Sequence, residues 1–377
     1  MADAEAVNGV AAGSIEAING VAKASIEAIN GAGIPAAGAT LWTLVAADGG
    51  VGTAAASDLN AWTCYISADM STQDYNSVAY GQDGSGGPMW VAVNSNNTKD
   101  IRWTADPTAG IDAWGNKNPT NTMLGVTWSN GVWLTVGANG AMWRSTTGSG
   151  TWTEVDLSGV TGWANDETIY EVVGDGAGSF MFAHGMNTFV STDDGSSWAR
   201  CVDLSASPIS LSGYIAYTMA YTASRWCVFL RKTSQSRVFH AAADATGTWT
   251  GATVGGSGQS GQTLVSSTAR RMAAGAGTVI IVSSNDTSRS TNGGQDWPKN
   301  SHDLPRTAAR DVATDGQGNW VAVHDSGRVS ISTDDGANWA EQTGVQDGGS
   351  NTNMRFPSGG ANVENLDSIA ANVLLPV

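Results

Sequence analysis

Residues 320–339 read Trp-Val-Ala-Val-His-Asp-Ser-Gly-Arg-Val-Ser-Ile-Ser-Thr-Asp-Asp-Gly-Ala-Asn-Trp, and this stretch decides the fold. Valine or isoleucine alternates with polar or small residues on both sides of Asp-Ser-Gly, which predicts a β-hairpin. In the loop that follows, we expect the Ser332 and Asp334 side chains to bond the loop's own amides and Gly336 to adopt a positive φ. Trp339 then anchors the loop by burying a large ring.

The same unit recurs along the chain. Residues 191–198 repeat the loop in full, and residues 290–297 repeat it with Asn292 in place of the first aspartate. A spacing of about 40 to 50 residues is typical of a four-stranded propeller blade. The sequence therefore predicts an all-β, seven-bladed β-propeller, with a six-bladed ring as the alternative. The tryptophans that close the seven copies are Trp62, Trp114, Trp152, Trp198, Trp249, Trp297 and Trp339.

The pattern Ser-x-Asp-x-Gly-x-x-Trp resembles the Asp-box, or bacterial neuraminidase (BNR) repeat, of β-propellers. Sialidases, some endoglucanases, sortilin-like receptors and photosystem assembly factors of the Ycf48 type carry it. The resemblance implies structural loops that lie away from the active face, and it indicates the fold rather than the function. The residues to which it assigns this structural role are Ser191, Asp193, Gly195, Trp198, Ser290, Asn292, Gly294, Trp297, Ser332, Asp334, Gly336 and Trp339.

Composition narrows the classes of partner. The 377 residues carry a formal net charge of −16, which argues against a nucleic-acid backbone or an anionic membrane as the main partner. The first residues lack the pattern of a signal peptide, and no apolar run is long enough to span a bilayer, so we expect a soluble protein made in a cytoplasm.

The cysteines lack metal-ligand spacing, and Cys64 and Cys201 are expected on outer blade strands. We expect no metal and no cofactor.

The first 37 residues differ from the rest. Residues 7–17 are followed by a near-copy at 18–28, and a third copy opens at 29, so the period is eleven. Each copy contains Asn-Gly, a turn signal, and we predict short strands or short helical turns joined there. Because the segment has too little apolar content for a core of its own, it should order against a partner or against copies of itself. The candidate docking residues are Ile15, Ile18, Asn19, Ile26, Ile29 and Asn30.

The tandem Ile-Asn-Gly-Val-Ala-x-Ala-Ser-Ile units of this arm resemble segments near the termini of tail and other virion proteins of bacteriophages. The resemblance covers about 30 residues and implies that the arm docks a propeller onto a neighbouring protein. It implies other virion proteins and copies of the same chain as partners.

The propeller is predicted over residues 38–345. Its first copy begins at Trp42 and lacks a convincing first strand, so we predict that the C-terminal segment, residues 346–377, supplies it. Residues 353–356 are the candidate for this closing strand. Residues 361–377 are interpreted as a second small docking element.

Catalytic signatures are weak. The Arg-Ile-Pro signature of sialidases is missing, most acidic residues fall in the repeated loops, and the four histidines are isolated in sequence. We therefore expect no enzymatic activity. Trp163, in a loop and not a loop-closing ring, is the candidate for a ligand face that contacts a host-surface glycan.

These observations favour a bacteriophage virion component, from the tail or its fibres, assembled in the host cytoplasm. In this interpretation the propeller is a rigid display or docking module, and the arm attaches it to the particle. A Ycf48-like assembly scaffold is the second interpretation, and it predicts a basic patch on one face. A glycan-binding or glycan-cleaving, sialidase-like propeller is the third, and it predicts convergent carboxylates in a central cleft.

Overall fold

The protein is a ring of seven four-stranded antiparallel sheets, as shown by a computed structural model. The structure describes six two-residue strands within the first 33 residues and, beyond them, residues 40–46, 50–59, 62–66, 74–95, 101–109, 114–164, 167–203, 213–222, 225–232, 235–242, 249–254, 271–283, 286–298, 302–305, 308–342 and 366–371. The seven-bladed prediction is confirmed, and the six-bladed alternative is wrong.

The first strand of each sheet is innermost, and neighbouring first strands pack together around the centre. From the innermost strand outwards, the blades are: blade 1, Leu366–Ala371, Leu41–Ala46, Gly50–Ala55 and Thr63–Ile66; blade 2, Tyr75–Gln82, Pro88–Asn94, Ile101–Thr104 and Gly115–Lys117; blade 3, Met123–Ser129, Val132–Gly137, Met142–Ser145 and Thr153–Glu154; blade 4, Val172–Gly174, Phe180–His184, Asn187–Ser191 and Ala199–Asp203; blade 5, Ile215–Thr222, Arg225–Lys232, Gln235–Ala242 and Thr250–Gly251; blade 6, Arg271–Ala274, Val279–Val282, Asp286–Ser290 and His302–Asp303; blade 7, Ala309–Thr314, Trp320–His324, Arg328–Ser332 and Ala340–Glu341.

Shorter elements complete the described chain. Thr253–Val254, after blade 5, pairs in parallel with Asp296–Trp297 of blade 6. Among the described residues, the helical content is four short 3₁₀ turns at Ala56–Asp58, Pro107–Ala109, Ala138–Gly140 and Asp325–Gly327. No helix among the described residues has the length and apolar character needed to cross a bilayer.

The ring closes through the C-terminal segment. Leu366–Ala371 pairs antiparallel with Leu41–Ala46 and becomes the innermost strand of blade 1, as the missing first strand required. The closing strand is therefore not residues 353–356, which lie outside the described residues. The interpretation of residues 361–377 as a docking element is also wrong for 366–371, because these residues belong to a blade.

Tryptophans on the second strands form much of the core between the blades. Trp42, Trp133, Trp226 and Trp320 are fully buried there, and Trp90 is nearly so. Six of the seven closing tryptophans are also buried, and Trp339 is half-buried. Burial of an aromatic side chain removes a large apolar area from water, so these repeated rings explain the spacing of the sequence repeat.

The arm contains three hairpins with one register. Val7 pairs with Val10, Ile18 with Val21 and Ile29 with Ala32, and in each hairpin two residues, Asn-Gly, separate the paired strands. The strands are thus joined at Asn-Gly, and the alternative of helical turns is wrong for these pairs. Of the other candidate docking residues, Ile15, Asn19, Ile26 and Asn30 lie outside the described residues.

Candidate functional site

A cavity of about 210 Å³ lies at the centre of the ring, where the innermost strands begin. Each of the seven blades contributes one residue to the wall of this cavity. We call this face of the propeller the cavity face. The lining residues, from blade 1 to blade 7, are Asp367, Asn76, Leu124, Tyr170, Tyr217, Arg271 and Arg310.

β-Bulges place most of these side chains. In five innermost strands the pairing with the second strand skips one residue near the start, and the skipped residue lines the cavity. A bulge leaves one residue unpaired and turns its side chain out of the regular alternation. The skipped residues are Asn76, Leu124, Tyr217, Arg310 and Asp367.

Both lining arginines are paired with carboxylates. Arg271 Nη1 lies 3.1 Å from Glu171 Oε1, with the two side chains 19% and 16% exposed. Arg310 forms an ion pair with Asp325 through Nε, and its Nη1 lies 3.6 Å from an Asp367 oxygen. The cavity therefore has no surplus of positive charge.

Glu171, next to the cavity residue Tyr170 in the chain, connects three blades. It accepts a hydrogen bond of 2.8 Å from the Met219 backbone N–H of blade 5, in addition to its contact with Arg271 of blade 6. Burial raises the pKa of the Glu171 carboxyl, and the Arg271 guanidinium offsets part of this rise. The donors from blades 5 and 6 fix the position of this carboxyl.

Asp311 has the same role for three other blades. Its Oδ2 accepts from the Ser368 hydroxyl at 2.6 Å and from the Ile369 N–H at 3.2 Å, and Ser368 Oγ in turn accepts from the Val78 N–H at 3.2 Å. Burial raises the pKa of the Asp311 carboxyl, and nearby Arg271 lowers it in part. These contacts connect blades 7, 1 and 2.

Two tyrosines, one from blade 4 and one from blade 5, form an aromatic part of the cavity wall. The Tyr170 side chain is 50% exposed, and its ring centroid lies 6.2 Å from that of Tyr217. The Arg231 guanidinium lies 3.5 Å from the Tyr217 ring centroid, a cation–π contact. Tyr170 and Ile215, which begins the innermost strand of blade 5, are the two exposed large apolar side chains of the described chain.

The repeated loops lie on the opposite face, which we call the loop face. In each of three loops the serine hydroxyl donates to the side-chain oxygen two residues on, at 2.8–3.0 Å, and accepts from the glycine N–H four residues on, at 2.9–3.0 Å. The three sets are Ser191, Asp193 and Gly195; Ser290, Asn292 and Gly294; and Ser332, Asp334 and Gly336. Of the closing rings, Trp198 and Trp297 are buried, and Trp297 Nε1 donates to the Gly294 carbonyl at 2.9 Å.

These loops also contact the preceding blade. Arg144 Nε of blade 3 donates to the Asp194 carbonyl of blade 4 at 2.7 Å, and Arg289 Nε of blade 6 donates to the Asp335 carbonyl of blade 7 at 2.6 Å. Asp194 and Asp335 have positive φ angles of 59° and 60°. The structural role assigned to the loops stays a prediction, and two variants below test it.

Acid should loosen the blade 7 loop. Side-chain and backbone hydrogen bonds from Asn338 lower the pKa of Asp334 to about 2. A depressed folded-state pKa stabilises the fold above the unfolded-state pKa of about 4, and this contribution is lost as the pH falls towards 2. We expect the melting temperature of the wild type to fall relative to that of Asp334→Asn between pH 5 and pH 2, because the amide does not titrate.

Blade 6 uses Asn292 at the equivalent position, so the Asp334→Asn loop has a natural precedent in the same ring. The measurement is thermal unfolding of both proteins at matched ionic strength. A difference between the two that does not change with pH would contradict the prediction.

Trp163 lies outside the cavity lining. Its half-buried ring packs edge-on against Phe182 and Phe189, with centroid distances of 5.4 and 5.6 Å, and lies 5.6 Å from the His184 ring. The glycan contact assigned to Trp163 stays a prediction.

The sequence alone did not indicate the cavity residues, because they are scattered from position 76 to position 367 and only the folded ring brings them together.

The described residues contain no group of three or more histidine, cysteine or acidic side chains placed to hold a metal ion. Cys64 and Cys201 lie on outermost strands, as expected, and both are half-buried. Burial raises the pKa of the Cys64 thiol to about 12, so this group stays protonated at neutral pH.

Neither a protein-family model nor a curated protein matches the chain by sequence. Solved structures share its fold. Ycf48 from Cyanidioschyzon merolae is 14% identical with a TM-score of 0.51, over 71% of this chain and 84% of that one. The GH74 xyloglucanase from Xanthomonas campestris is 14% identical with a TM-score of 0.54, over 81% of this chain and 52% of that one. These likenesses show the fold alone. The chain is a seven-bladed β-propeller.

Proposed function

We propose that this propeller is a structural component of a bacteriophage virion, from the tail or its fibres. In this proposal the cavity face is displayed and the N-terminal arm attaches the ring to the particle. The observation that carries the proposal is the position of the arm's exit. The chain enters blade 1 at Leu41, on the loop face, because Trp42 pairs with Ala371 at the end of an innermost strand that begins beside the cavity at Asp367.

This geometry separates attachment from display. An arm that leaves from the loop face anchors the ring without covering the cavity face. The closing strand also ends on the loop face, at Ala371, so both ends of the propeller are on the attachment side. A rigid ring held in this way presents the same seven-residue cavity outwards in every copy.

The arm itself supports an assembly role. Its three hairpins repeat one register every eleven residues, and each strand is two residues long. A hairpin of this size is not stable alone in water, so it gains stability by pairing with another chain. Repetition multiplies this effect, because three linked weak contacts bind more tightly than one.

Catalysis is not part of the proposal. Asp367, the carboxylate in the cavity wall, faces Arg310, and the nearby carboxyls of Glu171 and Asp311 are each held by donors from neighbouring blades. A glycan-cleaving propeller needs two carboxylates free to act on substrate. A Ycf48-like scaffold predicts a basic patch, but the arginines around the cavity are offset by acidic partners.

The arm is tested by solution mass in the full chain. We expect the wild type to self-associate through the arm, and the triple variant Val7→Asp, Ile18→Asp, Ile29→Asp to be a monomer with an unchanged melting temperature. These positions are equivalent in the three hairpins, and charges there oppose close pairing with a second chain. Light scattering after size exclusion gives the mass of each species.

The control variant carries the same added charge at exposed positions of outermost strands: Thr63→Asp, Thr153→Asp and Thr250→Asp. It should retain the mass of the wild type. A wild-type monomer, or a triple arm variant that keeps the wild-type mass, would refute arm-mediated assembly.

A further inference from the structure

We propose that the central cavity binds a neutral carbohydrate, one or two sugar units of a larger glycan. The inference goes beyond the proposed function and does not depend on the arm. It starts from the uneven distribution of exposed apolar surface over the described chain. The two exposed large apolar side chains, Tyr170 and Ile215, both lie at the cavity face, where blades 4 and 5 meet. Exposed apolar side chains beside a concave cavity with polar groups in its wall are the arrangement expected of a binding site.

The cavity wall has an aromatic platform. Tyr170 is half exposed, and Tyr217 is backed on one side by the Arg231 guanidinium. The ring planes of the two tyrosines differ by 32°. Sugar rings carry C–H groups on their faces that pack against exposed aromatic rings, and a tyrosine offers a large apolar surface with only two side-chain torsions to fix.

Polar groups with unused hydrogen-bonding capacity complete the wall. Among the described residues, the hydroxyls of Tyr170 and Tyr217 have no hydrogen-bond partner, nor has Asn76 Oδ1, whereas Asn76 Nδ2 donates to the Met123 carbonyl at 2.8 Å. Arg271 and Arg310 also line the cavity, and each guanidinium carries N–H groups beyond those used in its bond to Glu171 or Asp325. This mixture of donors and acceptors around an apolar surface matches the alternating hydroxyls and C–H faces of a sugar.

Charge selects a neutral sugar over an acidic one. Both arginines in the cavity wall lie against carboxyl groups, Arg271 against Glu171 and Arg310 against Asp325 and Asp367, so neither presents an unpaired positive charge to an anionic ligand. The chain as a whole carries a net charge of −16, which opposes an anion further.

Cavity size limits how much of the glycan is held. A volume of about 210 Å³ is smaller than the pockets of about 300–1,000 Å³ that enclose drug-sized ligands. A terminal sugar and part of its neighbour are therefore the expected occupants, with the rest of the chain in solvent. The small contact area predicts weak binding at one site, and several copies on one particle would raise the overall affinity.

The test uses saturation-transfer NMR on the full chain with maltotriose, cellotriose, lactose and chitotriose, and with 3′-sialyllactose and trigalacturonic acid as acidic probes. We expect at least one neutral probe to bind, with a dissociation constant in the millimolar range or tighter, and more tightly than either acidic probe. The absence of binding by all four neutral probes would overturn the proposal, as would a preference for the acidic ones.

Variants locate the binding. Tyr170→Ala should weaken it about tenfold, whereas Tyr170→Phe, which retains the platform, should weaken it less than about threefold. Leu124→Trp should abolish it by filling the cavity, and Trp163→Ala should leave it unchanged. Thermal unfolding checks that each variant is folded. Binding that survives both Tyr170→Ala and Leu124→Trp, or that is lost in folded Trp163→Ala, would place the site elsewhere and refute the proposal.

Discussion

A chain that ends at residue 365 is expected to lose the cooperative unfolding transition of the full protein. The truncation removes Leu366–Ala371, the innermost strand of blade 1, and with it the buried Ile369 side chain and the Ser368 contacts to Asp311 and Val78. The lost apolar burial and ladder hydrogen bonds amount to at least about 5 kcal/mol, a large part of the stability of a typical domain. Calorimetry and near-ultraviolet circular dichroism measure the effect.

The truncated chain offers a direct rescue. Its strand Leu41–Ala46 would be left as an open edge at the centre of the ring, shaped to accept one more strand. A synthetic peptide of residues 362–374 should bind this edge with one-to-one stoichiometry and restore the transition. A chain that ends at residue 371 is the control and should melt as the full chain does. A chain ending at 365 that melts like the full one would refute closure by this strand.

The ring could be predicted from the sequence because each blade repeats the same physical requirement. In every blade a sheet has to be packed against its neighbour, and a tryptophan closes the loop before the outermost strand. These buried tryptophans, such as Trp152 and Trp249, recur at blade spacing. The closing strand was harder to locate. Residues 366–371 pair mainly through backbone and small side chains, Ser368, Ala370 and Ala371 among them, and carry no tryptophan or turn that marks them as part of the repeat.

The cavity could not be predicted in the same way. A bulge interrupts the period-two alternation at one point of a strand, so no regular pattern in the sequence marks which residue is skipped. Tyr217 and Arg310, for example, stand within ordinary strand patterns, and only the pairing shows that both are skipped. Trp163 was chosen because a tryptophan in a loop has a visible signal, although its ring is partly covered by Phe182 and Phe189.

The two faces differ in what they require of the sequence. The loop face depends on repeated serine, acidic or amide, and glycine positions, since each loop must form the same internal bonds. At the cavity face the lining residue varies from blade to blade. In five blades a bulge, rather than the repeated loop, places that residue in the cavity wall. A repeated scaffold on one side and a varied surface on the other is the arrangement expected of a module that supports binding by loop and rim variation.

Gly336→Ala is expected to destabilise the protein by about 3 kcal/mol. Gly336 has a φ of +79°, where an alanine costs about 1 kcal/mol, and its Cβ would overlap the Cδ1 atom of Ile280, a fully buried side chain of blade 6. Overpacking of this kind costs typically about 1–3 kcal/mol. The loop of blade 7 would be forced away from blade 6, so Arg289 Nε would lose its hydrogen bond to the Asp335 carbonyl.

Gly277 supplies the matched control. Its φ is +88°, but a Cβ there meets no atom within 4 Å, so Gly277→Ala should cost only the backbone term of about 1 kcal/mol. Ile280→Val removes the clashing Cδ1 atom, and we expect Gly336→Ala to cost at least about 1 kcal/mol less in that background than in the wild type. Urea unfolding of the four proteins of this cycle measures the coupling. If Gly336→Ala and Gly277→Ala cost the same, or if Ile280→Val gives no relief, the loop glycine does not act as the contact between blades 6 and 7, and the structural role of the repeated loop would have to rest on its internal bonds alone.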